Sequence, residues 1–153
     1  MLQILLLLAL ISCSQETCQY ADDYIPKDLA DATAYLDCAL DEKTKGSLIN
    51  PDEQRTVAML HFGLGLQLRN KWELWKANNR LVEYFDSLGI THPDDMSGII
   101  LTSYYRQLND KDIKLEQQVD YYKDYWLNFD KNNEMTPEEQ LQMDSIINEL
   151  GVF

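Results

Sequence analysis

THPDDMSGIILTSYYRQL, from Thr91 to Leu108, decides the fold. Thr91-His92-Pro93-Asp94-Asp95 spells a helix start: proline fits the first helical position, where its missing N–H is no loss, and first-turn aspartates meet the positive end of the helix dipole. Met96, Ile99, Ile100, Tyr104 and Leu108 then recur at steps of three and four, one apolar stripe that ends at Asn109-Asp110. The stretch reads as a single amphipathic helix.

Working outward, the same period returns on both sides. Upstream, Pro26 sets up a first helix carrying Leu29, Ala32, Leu36, Ala39 and Leu40 through Asp41, and Lys43 to Ile49 breaks the pattern with Gly46 and Ser47. Asn50-Pro51-Asp52-Glu53 has the residues of a capping box, and Val57, Leu60, Leu64 and Leu68 follow on one stripe. Gly63 and Gly65 inside that helix cost about 1 kcal/mol each relative to alanine. They predict a close backbone approach or a break. Asn79 to Leu88 gives a third helix, stopped by Gly89-Ile90.

Downstream, Leu115, Val119, Tyr122, Trp126 and Phe129 form an amphipathic helix with an aromatic face. Thr136-Pro137-Glu138-Glu139 opens a last one through Leu141, Ile146 and Leu150 to Gly151. Sustained period-two alternation is absent from the sequence. The fold class is therefore all-α, a single compact bundle of about six helices.

A chain of 153 residues fits one domain. Its net charge of −13 is uneven: residues 1–53 hold 10 acids against 3 bases, 54–109 hold 5 against 6, and 110–153 hold 11 against 4. Such a balance repels a polyanion, so nucleic acid is disfavoured as a partner, and a protein partner of basic character, or simply a solvated acidic face that keeps the protein soluble, fits better.

Residues 2–11, LQILLLLALI, make an apolar run half the length a spanning helix needs but right for a signal-peptide core. It closes on Leu10-Ile11-Ser12-Cys13, which resembles the lipobox of bacterial lipoproteins. That resemblance implies a signal peptide over 1–12, lipidation at Cys13, and residence in a bacterial cell envelope, periplasmic or at the cell surface, by a lipid anchor in a membrane. No Lys or Arg precedes the run. Polar residues 13–24 read as a tether and 25–153 as the domain. Cys18 and Cys38 then remain, either as a bridge closing a loop of about 20 residues, worth on the order of 3 kcal/mol, or with Cys38 as a buried apolar residue of the first helix.

The scarce residue types gather in the middle third. His92, Asp94 and Asp95 with His61 are the right groups for an acid/base site, yet first-turn aspartates also serve as plain helix caps. Arg69-Asn70-Lys71-Trp72-Glu73-Leu74-Trp75 packs indoles, cations and an amide into seven residues. Trp72 and Trp75 are spaced to share one helical face, where Arg69 could stack on Trp72, either as core or as a binding surface. Asp130, Asn132, Glu134 and Thr136 imitate a calcium loop but meet Met135 and Leu141 where glycine and glutamate are required. No G-x-S-x-G elbow surrounds Ser97 or Ser103. Neither a metal nor a cofactor is expected, and no residue is assigned a catalytic role.

His61 to Trp75, Gly89 to Ser97 and Tyr104-Tyr105-Arg106-Gln107-Leu108 together resemble an uncharacterised domain of Bacteroidota proteins, with its G-x-x-x-R-N-x-W-x-L-W and H-P-D-D-M-S strings, over about residues 25–120. The resemblance implies a source and a class and carries no activity. The expectation is a binding or interaction module whose contact residues come from His61, Arg69, Asn70, Trp72, Trp75, His92, Asp94, Asp95 and Arg106. Two alternatives stand beside it. One is an envelope hydrolase using His61, His92, Asp94 and Asp95 with Arg69 as an anion clamp; the other is an acidic immunity-type protein.

Overall fold

The computed structural model describes residues 18–49 and 52–133. The leader, Cys13, the calcium-like string around Asp130 and the last expected helix lie outside the described residues or side chains. Every regular element described is helical: α1 Leu29–Ala39, α2 Glu42–Leu48, α3 Glu53–Leu60, a π-helical turn His61–Gly65, α4 Leu66–Lys71, α5 Arg80–Ser87, α6 Pro93–Leu108 and α7 Leu115–Asn133. Since α3, the π turn and α4 run on as one rod, the described residues form six helices.

The membership differs from the expectation in one place. Residues 43–49, read as a break, lie mostly within α2: Asp41 caps it by accepting from the Thr44 amide, and Lys45 ties it to Asp37 and Glu42. The helix holds by its cap and one buried residue, Leu48, rather than by an apolar stripe.

Caps explain the other starts. α1 begins three residues after Pro26, capped by Asp28, which accepts from the Asp31 amide at 2.9 Å. α3 is capped by Asp52, which accepts from the Arg55 amide at 2.7 Å; Asn50 and Pro51 of the expected capping box lie outside the described residues. Asn79 opens α5 as expected, accepting from the Leu81 and Val82 amides. At its far end Gly89, at φ 80°, donates to Asp86 while Ile90 donates to Phe85, the pair of bonds that satisfies the last carbonyls of a helix.

α6 is the central rod. Residues 95–101 and 103–105 are buried on every face, so it is enclosed by α1, by the α3–π–α4 rod and by α7. Met96, Ile99, Ile100 and Tyr104 of the expected stripe are all in the core, together with Leu36, Leu68, Trp72, Leu81 and Phe85. The glycine pair resolves unequally. A Cβ on Gly65 would meet Arg69 Nη1 at 3.1 Å and Leu101 Cδ1 at 3.3 Å, so that glycine admits side chains of α4 and α6 rather than a second backbone; Gly63 faces open space.

Cys18 is disulfide-bonded to Cys38, with Cα atoms 5.2 Å apart. The tether expected over 13–24 is therefore, from Cys18 on, laid against the domain.

Candidate functional site

Arg69 leaves α4 beside Gly65 and reaches the first turns of α6. Its Nη1 donates to Ser97 Oγ at 2.8 Å, and its Nε lies 3.1 Å from Asp94 Oδ1, an ion-pair contact without the alignment of a directed hydrogen bond. Ser97 Oγ in turn donates to the Asp94 carbonyl at 2.9 Å. His61, at the first position of the π turn, brings Nε2 to 3.6 Å from the same Asp94 oxygen. Only 5% of Arg69 and none of Ser97 is exposed, whereas His61 and Asp94 reach solvent.

One residue further along α6, Asp95 is turned the other way. It is 8% exposed and accepts from Trp126 Nε1 at 2.7 Å. Burial pushes its carboxyl above the ordinary aspartate range, against the opposing pull of the Trp126 hydrogen bond and of His92 and His61. His92 caps α6 without a side-chain bond to it and stacks on the Trp126 ring, centroids 3.7 Å apart at 11°. Tyr122, one turn back on α7, sets its hydroxyl where a Cβ on Gly98 would stand.

The structure thus brings together His61, Arg69, His92, Asp94 and Asp95 around the start of α6, and it separates the rest. Arg106 lies at the opposite end of α6, where Nε and Nη2 donate to Glu53 at 3.0 and 2.7 Å and Nη1 to the Ile113 carbonyl at 2.7 Å. It clamps the fold there, and its hydrogen bonds, then its charge, hold the Glu53 carboxyl below the usual glutamate range. The two indoles also part. α4 ends at Lys71, and Glu73 takes φ 50°, so Trp72 is wholly buried with Tyr35 edge-on at 5.4 Å while Trp75 is 59% exposed. Trp72 is core, and Arg69 engages Asp94 and Ser97 instead of the expected ring. Asn70 is exposed.

Trp126, Ser97 and Tyr122 were not singled out from the sequence as site residues. Trp126 was visible as a member of the α7 stripe; its partners 31 and 34 residues away were not. Also unforeseen is an apolar shelf on the rod bearing His61: Met59, Phe62 and Leu66 lie at helical spacing, 68%, 79% and 47% exposed. Two open grooves border α1: one of about 680 Å³ lies between α1, Tyr84 and residues 112–117 leading into α7, and one of about 310 Å³ lies between α1 and the C-terminal part of α6. None of the residues around His61 or His92 lines them. Among the described residues no three His, Cys, Asp or Glu side chains are grouped to hold a metal ion.

These features define an all-α domain built on a sealed central helix, with a locked Arg–Asp–Ser cluster at its start. Residues 25–108 match the family model described as a domain of unknown function, DUF6794, and the chain belongs to that family. The match ends with α6, short of the residue 120 expected from the motifs, so it contains His61, Arg69, His92, Asp94, Asp95 and Ser97 but not α7. Comparison with curated proteins and with solved structures gives no match.

Proposed function

We propose that this protein is a lipid-anchored binding module of a bacterial envelope, and that a protein partner of basic character seats on the Met59–Phe62–Leu66 shelf beside His61 and Asp94. The observation that carries the reading is a contrast. The polar groups capable of chemistry are engaged with one another, Ser97 with Arg69 and Asp94, Asp95 with Trp126, while three large apolar side chains stand in water next to them.

Solvated apolar residues in a row are what an interface buries, and each large one is worth roughly 1.5–3 kcal/mol once covered. Asp94, half exposed, supplies a negative rim, and the net charge of −13 favours encounter with a cationic partner. The Cys18–Cys38 bond suits an oxidising compartment outside the cytoplasm. The lipobox-like Leu10-Ile11-Ser12-Cys13 supplies the anchor.

The test is a pair of single variants in the full chain expressed in a bacterial envelope. Phe62→Ser should lose at least tenfold of a co-isolated protein that Gln117→Ser retains, with circular dichroism unchanged in both. Equal retention would remove the shelf from the account. Mass spectrometry should find the mature chain beginning at an acylated Cys13.

One distance favours a second reading, a hydrolase using His61, His92, Asp94 and Asp95: His61 Nε2 and Asp94 Oδ1 are 3.6 Å apart at a solvent-reached position. Against it, Arg69 shares that oxygen and the His92 ring is stacked on Trp126. Turnover of any ester or amide panel substrate that His61→Ala abolishes would restore it.

A further inference from the structure

Four contacts hold the segment after Cys18. Cys18 is bonded to Cys38 near the end of α1; Tyr20 packs on Tyr24 and Tyr35 at 4.6 and 5.1 Å between ring centroids. Lys71 Nζ donates to the Asp22 carbonyl at 2.8 Å, and the Tyr24 hydroxyl donates to Asp31 at 2.6 Å. A strap fixed so often is part of the domain.

We infer that the Cys18–Cys38 disulfide sets the length of the membrane leash, holding the domain with its tyrosine strap and the C-terminal end of α1 toward the bilayer surface. This rests on the lipid-anchor reading above. Five peptide steps separate Cys13 from Cys18, and at about 3.6 Å each they reach no more than about 18 Å. Were the leash free as far as Tyr24, it would have eleven steps and about 40 Å.

The facing surface suits headgroups. Tyr20, Tyr24 and Tyr35 are half-buried amphipathic rings of the type that settles at a membrane interface. Asp22, Asp23, Lys27 and Lys71 mix both signs there, so the leash rather than charge attraction keeps the surfaces close. A domain of this size is roughly 35 Å across, so every site on it stays within about 55 Å of the bilayer. A partner must then meet the domain within that distance of the bilayer.

Two insertions test the path of the leash, each of twelve Gly/Ser residues in the full lipidated chain, with the disulfide intact. One lies between Ser14 and Gln15, ahead of the bridge; the other lies between Gln19 and Tyr20, inside the loop it closes. The readout is energy transfer from the protein's tryptophans to dansyl-headgroup lipid in phosphatidylcholine vesicles. The first insertion should cut transfer at least twofold. The second should leave it at the wild-type level until a reductant is added, and then cut it likewise. Equal losses from both insertions before reduction, or no loss from the first, would overturn the inference. Failure of every form to float with vesicles, with Cys13 unacylated by mass, would overturn the anchor reading itself.

Discussion

Trp126→Phe is the most informative single change. Phenylalanine keeps a ring for His92 to stack on but removes the N–H that Asp95 accepts at 2.7 Å. A hydrogen bond to a buried charged group is worth about 1.5–3 kcal/mol, so the loss at neutral pH should be about 2 kcal/mol. At roughly 2–4 °C per kcal/mol for a chain of this length, the melting temperature should fall by about 6 °C.

The pH dependence identifies the cause. Asp95 already has a carboxyl raised above the ordinary value of 3.8 by burial, and the variant raises it further. A raised carboxyl means the native state holds its proton where the unfolded chain has released it, so stability falls as pH rises from 3.8 through the native value. The penalty is complete above that value and absent below 3.8. Wild type and variant should therefore melt nearly together at pH 3.5 and diverge by pH 7, if both remain folded. Asp95→Asn in the Trp126→Phe background should recover most of the neutral-pH loss. A loss that is the same at both pH values, or a double variant no better than the single one, would refute the reasoning.

Gly98→Ala places a methyl where the Tyr122 hydroxyl stands, so the Tyr122 ring, or α7 with it, must shift; urea unfolding should show a loss of about 1–3 kcal/mol, and Tyr122→Phe in the same chain should relieve part of it. Arg106→Ala should cost about 1 kcal/mol, discounted because the Glu53 pair is partly solvated. Since Arg106 holds Glu53 low, the wild-type advantage should be present above pH 4.5 and vanish as pH drops below it, measured by thermal melts. Trp72→Ala should cost about 3–5 kcal/mol by denaturant titration, whereas Trp75→Ala should fall within about 0.5 kcal/mol of wild type.

What the sequence reveals and hides follows from range. α6 is legible because its proline, its acids and its stripe are local signals that agree, and Gly89 because only a residue at ease at φ 80° ends α5 that way. The start of α3 is ambiguous between Asn50 and Asp52, two residues with the same capping chemistry. α2 is hidden because seven residues with one buried side chain show no period. Trp72 and Trp75 look like one face until the backbone turns at Glu73, a dihedral that residue spacing does not carry. The gathering of His61, Arg69 and His92 at Asp94 and Asp95 was signalled by shared scarcity. The role of Trp126 could not be, because it depends on how α7 lies across α6.

The most direct measurement is photocrosslinking from a benzoylphenylalanine placed at position 62, compared with one at position 117, in the full chain expressed in intact bacterial cells. The account predicts one discrete adduct with an envelope protein from position 62 and none of that mass from position 117. The same adduct from both positions, or from 117 alone, would contradict it.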